Sequence, residues 1–106
     1  MIIRIFRAKI RPGRAQDFER RARALSVPLV RRQPGLLAFF PGRPLLPSDD
    51  EFTMVTVWDS LDSLKAFTGE KWGSPFVPDD ELPLIEGASV EHFAVYEDSS
   101  VGRPDE

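Results

Sequence analysis

Phe52-Thr53-Met54-Val55-Thr56-Val57-Trp58 decides how the rest of the chain is read. Every position except Met54 is β-branched or aromatic, the composition of a strand that is apolar on both faces. Asp59 and Ser60 follow it, and Leu61, Leu64 and Phe67 then recur every three residues up to Gly69. That is a strand running into a helix capped by Asp59 or Ser60 and stopped by Gly69. Upstream of Phe52, Leu45-Leu46-Pro47-Ser48-Asp49-Asp50 reads as a turn or hairpin loop, and residues 36–40, continuing towards Arg43, as its partner strand.

Farther out, Pro34-Gly35 closes a helix predicted over residues 14–33, where Phe18, Ala22, Leu25 and Leu29 form one apolar stripe. Pro28 interrupts it. Without an N–H to offer the carbonyl of Ala24, it should kink the helix. Residues 2–10 read as the first strand, and Arg11-Pro12-Gly13-Arg14 as a turn. Beyond Gly69, residues 70–87 hold Pro75, Pro78, Pro83, Gly73 and Gly87, predicting a loop with a helical turn near 80–85. Residues 89–96 form the last strand. One domain over residues 1–97 and a flexible polar tail over 98–106 complete the organisation.

The resulting order, β-α-β-β-α-β, predicts a ferredoxin-like α+β fold: a four-stranded antiparallel sheet with two helices on one face. Ile3, Ile5, Val55 and Val57 point one way, while Ile2, Phe6, Met54 and Trp58 point the other. An antiparallel sheet does not ordinarily expose a second apolar face to water. The expected remedy is a homodimer packed through its sheet faces.

Composition narrows the chemistry. With 106 residues, 42% apolar and 29% charged, the chain suits one globular domain. It has no cysteine, which removes disulfides, thiolate metal sites and cysteine nucleophiles and fits a cytoplasmic setting. It has no asparagine, and its one histidine is His92. A multi-histidine metal site within one chain is therefore impossible, and a Ser-His-Asp triad would have to use His92. No apolar run approaches a membrane span, and arginines break the N-terminal run, so neither a membrane segment nor a signal peptide is expected. Residues 1–48 carry eleven Lys/Arg against Asp17 and Glu19, and residues 49–106 carry three against fifteen acids. Either the basic half meets an anionic partner, or the two halves interleave and neutralise one another. Nucleic acid is disfavoured because the aromatics fall on the apolar stripe rather than between the arginines, leaving no stacking platform.

Arg11-Pro12-Gly13-Arg14-Ala15 with Phe18, then Pro34-Gly35-Leu36, then Val55-Thr56-Val57-Trp58-Asp59-Ser60 with Leu64 and Phe67, and finally Val90-Glu91-His92-Phe93 carry a resemblance. Together, in this order, they resemble the antibiotic biosynthesis monooxygenase domains of the dimeric α+β barrel superfamily. The resemblance implies one of two activities. One is oxidation of anthrones or related phenols by O2 without a cofactor, through the substrate's own carbanion. The other is heme binding and degradation, which relies on an asparagine, a tryptophan and an iron-ligating histidine. Those three positions fall at Phe6, Phe67 and, at or near it, Phe76. Without an axial ligand the resemblance implies no heme chemistry here.

Phe6, Phe67 and Phe76, with Trp72 at the mouth, are then expected to line an aromatic cleft between sheet and helices. The competing reading is that they fill a thin core. Arg4 shares a strand face with Phe6, and His92 or Tyr96 on the fourth strand would approach it. Arg4 and His92 are the candidate catalytic pair, a cation for a phenolate or carboxylate and a general base. Alternatively Arg4 pairs with Glu91 or another cross-strand acid, and His92 packs at the dimer face. Two functional readings follow: a cofactor-free, metal-free monooxygenase acting on an aromatic or quinone-like small molecule, and a non-catalytic small-molecule binding or accessory protein on the same scaffold.

Overall fold

The computed structural model describes residues 1–98. Four strands, β1 (Ile2–Ile10), β2 (Leu36–Gly42), β3 (Glu51–Trp58) and β4 (Ile85–Ala94), form one sheet in the order β2-β3-β1-β4. All three pairings are antiparallel. The first helical region runs through α1 (Ala15–Arg21), a π-helical stretch (Ala22–Ser26) and α2 (Val27–Arg31); the second is α3 (Leu61–Thr68). This is the ferredoxin-like α+β arrangement. Of the tail expected over 98–106, residues 99–106 lie outside the described residues.

Alternation along β1 sends Arg4, Phe6, Ala8 and Ile10 towards the helices and Ile3, Ile5 and Arg7 to the open face. Ala8, Ile10, Phe18, Ala22, Phe52, Leu84 and Ile85 make the buried core at one end of the layer. Phe18 and Phe52 meet there edge to face, with ring centroids 4.9 Å apart. On the open face, Arg7 pairs with Glu51 and Glu91, and Lys9 with Glu86, so basic and acidic halves do meet across neighbouring strands.

The helix after β1 departs from the expected stripe. Phe18, Ala22, Ser26 and Val30 are buried, whereas Leu25 is 43% exposed. The Val27 N–H donates to the Ala22 carbonyl, an i→i+5 bond that takes up one additional residue. The helix restarts at Val27 with Pro28 in its first turn, where no N–H is required. The discontinuity expected from Pro28 is thus a π turn, and it rotates Ser26 inward in place of Leu25.

At the other connection, the Ser60 hydroxyl caps α3 by accepting from the Ser63 N–H at 3.2 Å. Gly69 ends it with φ +84°. The Asp59 N–H donates to the Gly35 carbonyl at 2.9 Å, joining the start of β2 to the start of α3. Gly35 has φ +86°, and a Cβ there would run into the Ser63 side chain. The last strand begins at Ile85, not at 89, and ends at Ala94. Gly87 lies within it opposite Lys9, beside a register shift between Lys9 and Ile10. A glycine at a bulge belongs to the strand, although in sequence it looks like loop.

Candidate functional site

β1 and β3 are adjacent and in register, so Arg4 faces Thr56 and Phe6 faces Met54. On the other side of β1, Arg4 faces His92 and Phe6 faces Val90. Trp58, Phe67 and Phe76 stack outward from this floor. The Trp58 and Phe67 rings lie 5.6 Å apart and 21° from parallel, and Phe67 meets Phe76 at 5.5 Å. A cleft of about 50 Å³ remains, walled by Phe6, Trp58, Phe67 and Phe76, with Arg4 and Thr56 on its floor and Ser26 and Glu81 opposite. Phe6, Phe67, Phe76 and Arg4 are therefore brought together. The aromatics both pack against one another and line a space, so the alternatives of core and cleft merge. Trp58, whose side chain is fully buried, belongs to both.

Arg4 is only 5% exposed. Its Nη1 donates to the Trp72 carbonyl at 2.6 Å and meets His92 Nε2 at 2.8 Å, and Nη2 donates to the Ser74 carbonyl at 3.3 Å. Burial lowers its pKa from the ordinary arginine value. A guanidinium only donates, so His92 Nε2 accepts and the imidazole proton sits on Nδ1. Burial, and then the charge of Arg4, lower the His92 pKa. The alternative Arg4–Glu91 pair does not form, because the two side chains occupy opposite sheet faces and Glu91 bonds Arg7. Nor does His92 sit on the open face.

His92 and Trp72 stand behind Arg4 rather than in the cleft; their rings meet edge to face at 4.9 Å. His92 has its Nε2 committed to Arg4, which removes it as a base aimed at the cleft. Tyr96, two residues past the end of β4, is 96% exposed and stands apart from the other candidates.

The sequence reading missed the carboxylate. Glu81, on the turn before a 3₁₀ segment (Leu82–Leu84), is 2% exposed, and its Oε2 takes a hydrogen bond from the Ser26 hydroxyl. Burial raises its pKa, partly offset by the Ser26 hydrogen bond, with Asp80 raising it and Arg21 lowering it further. In sequence Glu81 is one acid in Asp79-Asp80-Glu81, and such a run reads as solvated. The available signal was its proximity to Leu84 and Ile85, which turn inward. Among the described residues, the buried polar or charged side chains are Arg4, Ser26, Thr56 and Glu81. All four line this one cleft. An apolar site with a cation on one wall and a hydrogen-bonded, proton-affine carboxyl on another can take a proton from a bound molecule and hold the anion that results. No group of three or more potential metal-ligating side chains occurs among the described residues.

The sequence model of the family described as antibiotic biosynthesis monooxygenase matches residues 1–71. No curated protein matches the chain. Among solved structures, a proposed antibiotic biosynthesis monooxygenase from Deinococcus radiodurans superposes with TM-score 0.73 at 14% identity, covering 97% of this chain and 100% of that one. Its counterpart from Nitrosomonas europaea gives TM-score 0.71 at 14% identity, over 92% and 100%. The heme-degrader MhuD from Mycobacterium tuberculosis, with two hemes bound in its active site, gives TM-score 0.68 at 22% identity, over 94% and 100%. At these identities the likeness is one of fold.

Proposed function

Because the chain belongs to the antibiotic biosynthesis monooxygenase family, we propose that it oxidises a phenolic or quinone-type aromatic with O2, using neither metal nor organic cofactor. The observation that carries this reading is the convergence of every buried polar side chain of the described chain on one aromatic cleft. Glu81 acts as the base. Desolvation raises its proton affinity, as removal of a proton from an acidic ring carbon or hydroxyl requires. Arg4 holds the anion. The anion then transfers an electron to O2, and the two radicals combine to form a C–O bond. Protonated Glu81 returns its proton to the peroxide, and the carbon's remaining hydrogen then leaves as a proton while the O–O bond breaks, joining the departing hydroxide. A ring CH2 thereby becomes C=O, one oxygen atom entering the product and the other leaving as water. The apolar walls keep bulk water from quenching the anion.

A cleft of about 50 Å³ does not admit a polycyclic ligand as it stands. Phe76, 44% exposed on the loop between α3 and the 3₁₀ segment, closes it. Arg4 fastens that same loop through the Trp72 and Ser74 carbonyls. A phenolate competing for Arg4 releases these carbonyls and lets Phe76 swing out. The small volume favours the second reading, a binding or accessory protein that takes only a small ligand.

Heme fits the site poorly. Phe6, Phe67 and Phe76 carry no metal-binding atom, no histidine lines the cleft, and the volume is far below that of a macrocycle. Hemin titration should give no saturable one-to-one spectral change. Cysteine-free composition supports a cytoplasmic setting, and no helix of the described residues is long and apolar enough to cross a membrane. We also propose a homodimer through the open sheet face, where Phe40 and Phe93 lie exposed beside Ile3, Ile5, Val55 and Val57. Sedimentation equilibrium should give twice the chain mass.

The decisive assay is O2 uptake with hydroxylated anthrones. Glu81→Gln should lower kcat by roughly 10²–10⁴-fold. Arg4→Ala should raise KM for an ionised substrate about tenfold and hardly alter binding of a neutral analogue. An unaltered rate in Glu81→Gln removes the proposed base. If no hydroxylated anthrone binds or turns over, the enzyme reading falls.

A further inference from the structure

On the far side of the wall made by Phe6 and Met54 lies a second cavity, between the first helical region and the β2–β3 hairpin. It holds about 180 Å³. Its interior is apolar, formed by Phe18, Phe52, Ala22 and Val27 together with that shared wall. Its rim is basic: Arg23 and Arg31 come from the helical region and Arg43 from the segment after β2. Glu19 sits between two of these, with Arg23 Nε at 3.1 Å and Arg43 Nε at 2.9 Å from its carboxylate oxygens. One carboxylate thus orients two guanidinium groups, and the rim keeps an excess of two positive charges. Among the described residues, Arg31 has no ion-pair or side-chain hydrogen-bond partner.

An apolar hole of about 150 Å³ is known to accept a benzene ring. Here a hole of similar size opens under three guanidinium groups with the one Glu19 carboxylate among them, and their paired donors suit a second carboxylate. We infer that this cavity is a binding site for a single-ring aromatic monocarboxylate, its ring seated against Phe18, Phe52 and Met54 and its carboxylate held at the mouth by Arg31 and Arg23. Inorganic anions would leave the apolar interior unfilled, and neutral rings would leave the arginines unused. The site involves neither Glu81 nor Arg4, so it stands independently of the proposed oxidation.

The test uses the full chain, with benzoate as the probe, benzamide as its neutral isostere and acetate as the ringless anion. Calorimetry should show one saturable benzoate site per chain, with benzamide and acetate each bound at least about tenfold more weakly. Nuclear magnetic resonance should place the benzoate-induced shifts at Val27, Phe52 and Arg31. Arg31→Gln alters an exposed side chain, and it should weaken benzoate about tenfold while leaving benzamide unchanged. Ala22→Leu fills the hole and should abolish binding of both rings; should that variant unfold, Arg31→Gln decides alone. Glu81→Gln should leave benzoate affinity as it was. The inference is overturned if benzoate binds no better than acetate, if Arg31→Gln makes no difference, or if the shifts centre on Phe76 and Glu81.

Discussion

The same two strands, β1 and β3, floor two regions built on opposite principles. At one end Ala8, Ile10, Phe18, Phe52, Leu84 and Ile85 pack without a buried charge. At the other, within the same layer, Arg4, Ser26, Thr56 and Glu81 are buried among aromatic rings. Burying a polar group costs stability unless it is bonded, and a charge costs more. Each of these side chains finds a partner, and no buried side-chain nitrogen or oxygen among the described residues lacks one. Several of the partners are main-chain carbonyls or hydroxyls rather than opposite charges, which leaves the charges on Arg4 and Glu81 unneutralised by one another. The apolar end supplies stability, and the polar end is where the proposed chemistry is placed.

Substitutions at the two ends should separate these roles. Phe18→Ala truncates a fully buried ring of the apolar end and should remove about 3–5 kcal/mol of stability, read from urea denaturation. Arg4→Ala should cost less, about 1–3 kcal/mol, by stranding the Trp72 and Ser74 carbonyls and His92 Nε2. A loss as large as that of Phe18→Ala would make Arg4 a structural keystone and blur the contrast. Phe76→Ala, on a half-exposed plug, should cost less than about 1 kcal/mol while widening the cleft, visible as stronger fluorescence of an added hydrophobic dye.

The smallest effect on stability belongs to Glu81→Gln, and its sign is informative. The folded-state pKa of Glu81 is raised, so its favourable contribution is complete below the ordinary glutamate pKa and is lost as pH rises through the folded value. The glutamine variant lacks this loss. It should match the wild type in mildly acidic solution and become relatively more stable as pH rises, provided Ser26 still finds a partner. Denaturation curves across pH would check it, and a glutamine variant that weakens with pH would show that Glu81 is held as a stabilised carboxylate.

Local pattern was enough to determine the strand-helix order, the hairpin, the Ser60 cap, the Gly69 stop and the sorting of Ile3 and Ile5 from Phe6 and Met54. Each depends on neighbours within one turn or one pleat, where a period of two or a cap leaves its mark in adjacent residues. The convergence of Phe6, Phe67 and Phe76 was also legible, through resemblance to the family. Three things were decided only in three dimensions. The π turn moved the buried stripe from Leu25 to Ser26, because relief of a proline defect by one extra residue depends on what the helix packs against. Glu81 went inside because the apolar residues that follow it had to reach the sheet, and an acid beside two others carries no local sign of that. That His92, and not Tyr96, meets Arg4 instead of packing on the open face follows from the one register in which β4 pairs with β1, and a single-residue slip would have put it on the other face.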